Sequence, residues 1–227
     1  MVVAEIKPFT EISNMLKPYK RILVLGCGTC MAVCLSGGKR QVELLASAIR
    51  MAKKINENSD DILIGERTIG RQCEPKFVDQ IKDESSQYEV ILSMGCGAGV
   101  QELTERLNSI VVLPAMNTKF IGVADSEGNF FEMCAACGDC ILSLTGGICP
   151  VTRCPKGLLN GPCGGTKNGK CEVSSDIPCA WVLIYERMKQ LGKLDEIKKT
   201  IGPKDWGKDQ KPDKYILKEK SETVTVK

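Results

Sequence analysis

A chain of 227 residues that is 43% hydrophobic is long enough for one ordinary core domain and a smaller module, so its thirteen cysteines are not needed merely to staple a coreless scaffold. A net charge of +3 and an aromatic content of 5% argue against a nucleic-acid surface, which needs a dense basic patch or an aromatic platform. The absence of histidine excludes His-ligated zinc hydrolase sites, Rieske centres, c-type haem attachment and Cys/His or Ser/His/Asp nucleophilic catalysis. All-cysteine sites remain: iron–sulfur clusters or structural Cys₄ zinc.

Residues 1–8 have no apolar h-region and no small-residue cleavage site, and no segment reaches the roughly 18 apolar residues of a membrane span. A cytoplasmic protein is therefore expected. In that reducing compartment clustered cysteines bind metal or do redox chemistry rather than form disulfides, and an odd count leaves one unpaired in any case.

Residues 9–16 place Phe9, Ile12, Met15 and Leu16 at helical spacing, and residues 21–26 read as a short buried strand. An amphipathic helix follows over 41–56, with Val42, Leu45, Ile49, Ala52 and Ile55 on one face. A second buried strand is expected over 61–65, a short helix over 75–83, a third strand over 88–94, a helix through Val100, Leu103 and Leu107, and a fourth strand over 110–114. Strands alternating with helices predict an α/β fold in which residues 1–118 form a small parallel-sheet, Rossmann- or flavodoxin-like domain.

After that the pattern changes. Residues 120–125 and 130–133 read as a hairpin around a turn at 126–129. Residues 134–179 hold eight cysteines amid Gly and Pro with little apolar periodicity, so metal–thiolate bonds would supply the folding energy there. Asp176-Ile177-Pro178 is expected to open a closing helix through Trp181, Ile184, Met188 and Leu191. Residues 119–202 thus form a cysteine-rich, cluster-binding module with a C-terminal helix, and 203–227 a polar, lysine-bearing tail.

The first cysteine constellation, Cys27-Gly28-Thr29-Cys30-Met31-Ala32-Val33-Cys34, sits where the first expected strand turns into a helix, the place where doubly wound folds bind ligands. It is not a dinucleotide loop, because Met31 stands where the third glycine is needed. C-x₂-C-x₃-C instead brings three thiolates to one loop, where backbone N–H groups at a helix start would stabilise an anionic cluster. A fourth ligand comes from Cys96, in Gly95-Cys96-Gly97, or from Cys73; Cys96 is favoured because it ends a strand among permissive glycines.

The second constellation opens with Cys134-Ala135-Ala136-Cys137-Gly138-Asp139-Cys140 and continues with Cys149, Cys154, Cys163, Cys171 and Cys179. The opening triplet resembles a bacterial ferredoxin run, but the fourth cysteine does not follow at the ferredoxin spacing. Eight thiolates suffice for two Cys₄ sites: two clusters, one cluster with a structural zinc, or one cluster with spare thiols. The spacing favours iron–sulfur over a zinc ribbon and leaves the grouping open. The run from Lys156 to Gly165 reads as a loop of permissive backbone wrapped round a cluster.

Two stretches carry a resemblance to a known family. Cys149-Pro150-Val151-Thr152-Arg153-Cys154-Pro155-Lys156-Gly157-Leu158-Leu159-Asn160-Gly161-Pro162-Cys163-Gly164-Gly165, with Gly169-Lys170-Cys171-Glu172-Val173 and Cys179-Ala180-Trp181, resembles the cysteine-rich domain of methylenetetrahydrofolate reductase C-termini. Leu25-Gly26-Cys27-Gly28-Thr29-Cys30 and Arg71-Gln72-Cys73-Glu74 resemble the MetV-type small iron–sulfur subunit of that reductase in acetogens and related anaerobes. The cysteine count allows two or three [4Fe-4S] clusters, one of which a structural zinc could replace in the C-terminal module, and the resemblance implies the iron–sulfur character of the subunit. It also implies a MetF-type flavoprotein partner that carries the folate chemistry, a low-potential electron donor, and no catalytic residue in this chain. The alternatives are a Cys₄ zinc structural or assembly protein, and an iron–sulfur adaptor for another oxidoreductase of one-carbon metabolism.

Overall fold

The structure is a computed structural model that describes residues 1–57, 61–209 and 214. Its two compact units are Met1–Phe131 and Glu132–Lys227. In the first the chain runs through β1 (Val2–Ile6), α1 (Phe9–Leu16), β2 (Arg21–Cys27), α2 (Cys30–Val33), α3 (Lys39–Glu57), β3 (Leu63–Ile69), α4 (Pro75–Val78), α5 (Lys82–Ser85), β4 (Val90–Ser93), α6 (Gly97–Arg106), β5 (Val111–Pro114) and β6 (Met116–Ala124). The next strand, β7 (Phe130–Cys134), carries the chain into the second unit.

An uninterrupted apolar run needs cover on both faces, and β2 obtains it at the centre of a parallel sheet ordered β3-β2-β4-β5. Successive side chains point to opposite faces. Ile22 and Val24 therefore pack with Ile12, Leu16, Val42 and Ile49 from α1 and α3, while Leu23 and Leu25 pack with Val78, Ile81 and Leu103. The same alternation in β4 sends Val90 and Leu92 to one side and Ile91 to the other. The expected mixed α/β architecture with a parallel sheet is thus present. The winding direction reverses beside β2, where doubly wound sheets take ligands.

Several elements differ from their expected form. The second strand is displaced: β3 begins at Leu63 and pairs with β2 as far as Cys27↔Ile69. It lies at the sheet edge, so Glu66 and Arg67 are tolerated within it and mask its end in the sequence. The helix expected over 75–83 breaks at a 3₁₀ turn, Asp79–Ile81, between α4 and α5. In α3, Ile55 is 81% exposed while Lys53 is buried, its ammonium donating to the Lys17 carbonyl at 3.2 Å. Stepping by three from Ala52 drifts off a stripe that repeats every 3.6 residues, whereas Lys53 lies four beyond Ile49 and stays on it.

β1 was not expected. It pairs antiparallel with β6, giving a second sheet ordered β1-β6-β7. β6 and β7 form the expected hairpin, closed by Asp125, whose carboxylate accepts the backbone N–H groups of Glu127 at 2.9 Å and Asn129 at 2.8 Å. Because β6 pairs along β1, residues 119–124 lie in the first unit, and the units divide at 131/132 rather than at 118.

The second unit has little regular structure: α7 (Pro150–Arg153), α8 (Ala180–Gln190), α9 (Leu194–Ile197) and short 3₁₀ turns at Leu142–Leu144 and Trp206–Lys208. Its apolar cluster is small, with Trp181, Ile184 and Met188 of α8 buried against Ile148, Leu158, Leu194 and Ile197. The closing helix starts at Ala180, later than expected. The residues before it are held in extended pairing, with Lys170 bridged to Pro178 and the Cys179 N–H donated to Gly169 at 2.8 Å. Among the described residues no helix is long and apolar enough to cross a membrane. Of the polar tail expected over 203–227, residues 210–213 and 215–227 lie outside the described residues.

Candidate metal centres

Parallel strands end at one edge of their sheet, and the first unit's five cysteines come from that edge and the loops beside it. Cys27 is the last residue of β2 and its N–H donates to the Gly37 carbonyl at 2.9 Å. Gly26 must be glycine, because a Cβ there would stand 2.6 Å from Val42 and 2.9 Å from the Gly37 carbonyl oxygen. The next N–H, of Gly28, donates to Ile69 at 2.8 Å, laying the Cys27 loop on the end of β3. Cys30 opens α2 and Cys34 caps its end. Cys96 precedes α6, whose first N–H, at Gly97, donates to the Thr118 hydroxyl at 2.9 Å.

The loop after β3 is tied to the same edge by Gln72, whose side chain is fully buried. Its amide N–H donates to the Leu25 carbonyl at 2.8 Å, and its amide oxygen accepts the Ser93 hydroxyl. The Ser93 oxygen in turn accepts the Gly95 N–H at 3.1 Å. Gly95 and Gly99 leave the room Gln72 needs: a Cβ at either would stand 2.2 Å and 2.7 Å from its side chain. Through this clamp Cys73 joins Cys27 and Cys96. Its thiol is pushed up first by burial and then by the neighbouring thiols of Cys96 and Cys27.

Cys34 is turned elsewhere. Its S–H donates to the Val2 carbonyl of β1 at 3.5 Å, and burial is the main cause that raises its pKa, with Cys30 a smaller one. Thiols that raise one another's pKa repel as thiolates, and a bound cation relieves that repulsion.

Replacing Gln72 with Leu should leave the Ser93 hydroxyl and the Leu25 carbonyl without their buried partner. The expected loss is about 1–3 kcal/mol of unfolding free energy per orphaned group. Chemical denaturation checks it, and a midpoint equal to that of the unaltered chain would show that the clamp carries no stability.

In the second unit Cys134, Cys137, Cys140 and Cys149 line one cavity of about 290 Å³, together with apolar Ile141, Leu142 and Val151. The Ala136 N–H donates to the Cys134 sulfur at 3.4 Å, from a turn in which Ala136 and Gly138 both take positive φ (53° and 72°). The other four cysteines lie further along. Cys154 and Cys179 pack on the Trp181 cluster; Cys163 accepts the Gly165 N–H at 3.5 Å; the Cys171 N–H donates to Ile177 at 2.9 Å. Between them Gly157, Gly161 and Gly164 all take positive φ, the permissive backbone that the sequence suggested for this loop. The indole N–H of Trp181 donates to the Leu158 carbonyl at 2.9 Å, and Asn160 exchanges two hydrogen bonds with the Ile201 backbone (2.6 and 3.0 Å), closing the loop over α8.

Residues 113–207 match the family model described as methylene-tetrahydrofolate reductase C terminal. The matched segment takes in β6, β7 and all eight cysteines from Cys134 to Cys179, and it reaches past α9. No curated protein and no solved structure matches the chain.

Among the described residues no group of three or more His, Cys, Asp or Glu side chains is gathered closely enough to hold a single metal ion. The donor chemistry of the four-cysteine cavity nevertheless fits an iron–sulfur cluster: four thiols, a mostly apolar lining in which Asp139 is the one charged residue, and a backbone N–H aimed at sulfur. The residues that sequence reasoning missed are supporting ones, namely Gln72, Ser93 and Thr118 in the first unit and Lys204 in the second. Gln72 stood inside a quoted motif, but nothing in the spacing marked it as buried.

Proposed function

We propose that this chain is an iron–sulfur electron-transfer subunit of a methylenetetrahydrofolate reductase complex, passing electrons to the flavin of a MetF-type partner that reduces methylenetetrahydrofolate to methyltetrahydrofolate. The observation that carries the reading is the cavity walled by Cys134, Cys137, Cys140 and Cys149 inside the family segment. These four would hold one [4Fe-4S] cluster. Cys27, Cys30, Cys73 and Cys96 would hold another, with Cys34 the spare thiol, because its S–H is engaged by β1. Cys154, Cys163, Cys171 and Cys179 are then left over, and would serve a third cluster or a structural zinc.

Bound there, the clusters would supply one-electron chemistry. The residues' own contributions are simpler. Thiolates ligate; the Ala136 and Gly165 N–H groups favour the charged form of the sulfurs they bond; Leu142 and Val151 give the cavity an apolar wall. No residue of the chain is assigned a role in folate chemistry, which falls to the flavoprotein. A low-potential donor and a cytoplasmic site complete the proposal.

The test is reconstitution under anaerobic conditions. The MetF-type flavoprotein should bind this chain, and the pair should reduce methylenetetrahydrofolate with reduced viologen at a rate the flavoprotein alone does not reach. Equal rates with and without this chain, or no binding, would end the assignment to this complex.

A further inference from the structure

Pro203-Lys204-Asp205-Trp206-Gly207-Lys208 reads in the sequence as the start of a solvated tail. Its structure is otherwise. The Lys204 side chain is 0% exposed, whereas that of Lys208, four residues on, is 51% exposed. Lysine is almost never fully buried unless paired, since taking an ammonium out of water is costly. The partners of Lys204 belong to one turn. Its ammonium donates to the Cys137 carbonyl at 3.4 Å and to the Asp139 carbonyl, and it stands 3.9 Å from the Asp139 carboxylate. Two carbonyl oxygens of the turn between Cys137 and Cys140 thus accept its hydrogen bonds, and the Asp139 carboxylate adds an ion pair. The Trp206 ring lies 5.2 Å away and covers it.

The rest of the segment wraps the same turn. Lys208 donates to the Asp139 carboxylate at 3.0 Å. Gly138, at φ 72°, lies under the Lys208 backbone, and a Cβ on it would stand 2.4 Å from the Lys208 carbonyl oxygen. Two lysines against one aspartate leave the turn with an excess positive charge, and the more deeply buried member of the trio is a cation.

We infer that Lys204 is a potential-setting residue for the site of Cys134, Cys137, Cys140 and Cys149. The inference rests on the reading of that cavity as a cluster site. One-electron reduction adds one negative charge to an already anionic, four-thiolate site. A buried cation, poorly screened by solvent, stabilises the more negative state and so raises the potential. Asp139 acts in the opposite sense. A lysine that merely stapled the loop would affect iron retention and stability, and replacing either partner would have no opposed electrical effect.

The experiment uses the full chain, purified anaerobically, with iron and sulfide counted and the potential read by an EPR-monitored titration against viologen mediators. Lys204→Met should keep its iron and lower the midpoint by about 59 mV or more, at least a tenfold change in a one-electron equilibrium. Lys204→Arg, which keeps the charge, should stay near the unaltered value. Asp139→Asn should move the midpoint upward. Full iron with an unmoved potential in Lys204→Met would overturn the inference. If Lys204→Met loses the site's iron, Asp139→Asn decides: an upward shift supports it and an unchanged potential overturns it. Iron unchanged by Cys149→Ser would instead remove the cluster site itself, and the inference with it.

Discussion

Replacing Cys149 with Ser should remove about four iron atoms and four sulfides per chain and leave the first unit's cluster in place, since a [4Fe-4S] cluster needs four thiolates. Cys134, at the end of β7, and Cys137 and Cys140, in the loop after it, supply only three sulfurs to the cavity; Cys149, which caps α7, closes it. A serine hydroxyl is a harder donor, poorly suited to iron–sulfur ligation. The same replacement at Cys154 should spare this cluster's EPR signal, because Cys154 packs instead on the Trp181 cluster. Iron and sulfide analysis with spin counting separates the outcomes. Loss at Cys154→Ser and retention at Cys149→Ser would regroup the eight cysteines.

The second large effect concerns the first unit. Cys73→Ser should cost about four iron atoms per chain, and Cys34→Ser none. The sequence alone favours Cys27, Cys30, Cys34 and Cys96, since three of these share one loop. The folded chain argues for exchanging Cys34 for Cys73. Gln72 fastens the Cys73 loop to Leu25, two residues before Cys27 in β2, and to Ser93, the last residue of β4 and three before Cys96. The Cys34 thiol bonds to Val2, on a strand that sequence reading did not foresee. Equal iron loss in both variants would put Cys34 in the ligand set together with Cys73 and displace one of Cys27, Cys30 and Cys96.

These examples show what was legible in advance. The central strands were, because burial on both faces forces the unbroken apolar runs at 22–25 and 90–92. The placement of cysteines at the sheet's carboxyl edge followed from the parallel topology. Strand β1 was not legible: five residues at a chain end have too little pattern, and their partner lies more than a hundred residues away. The edge strand β3 was misplaced because polar residues are permitted there. Gln72 and Lys204 were illegible for a shared reason. A buried polar side chain looks like any surface residue until the groups that satisfy it are in view. The spacing marked Cys134, Cys137 and Cys140 as a triplet, but that Cys149 lines the same cavity is visible only in three dimensions.

The central claim is that these thiols hold iron–sulfur clusters, and its most direct test is the iron, acid-labile sulfide and zinc content of the anaerobically purified protein. The account predicts a brown protein with about eight or twelve iron atoms per chain, matched by sulfide, and about one zinc only in the former case. A colourless protein carrying zinc without sulfide would contradict it.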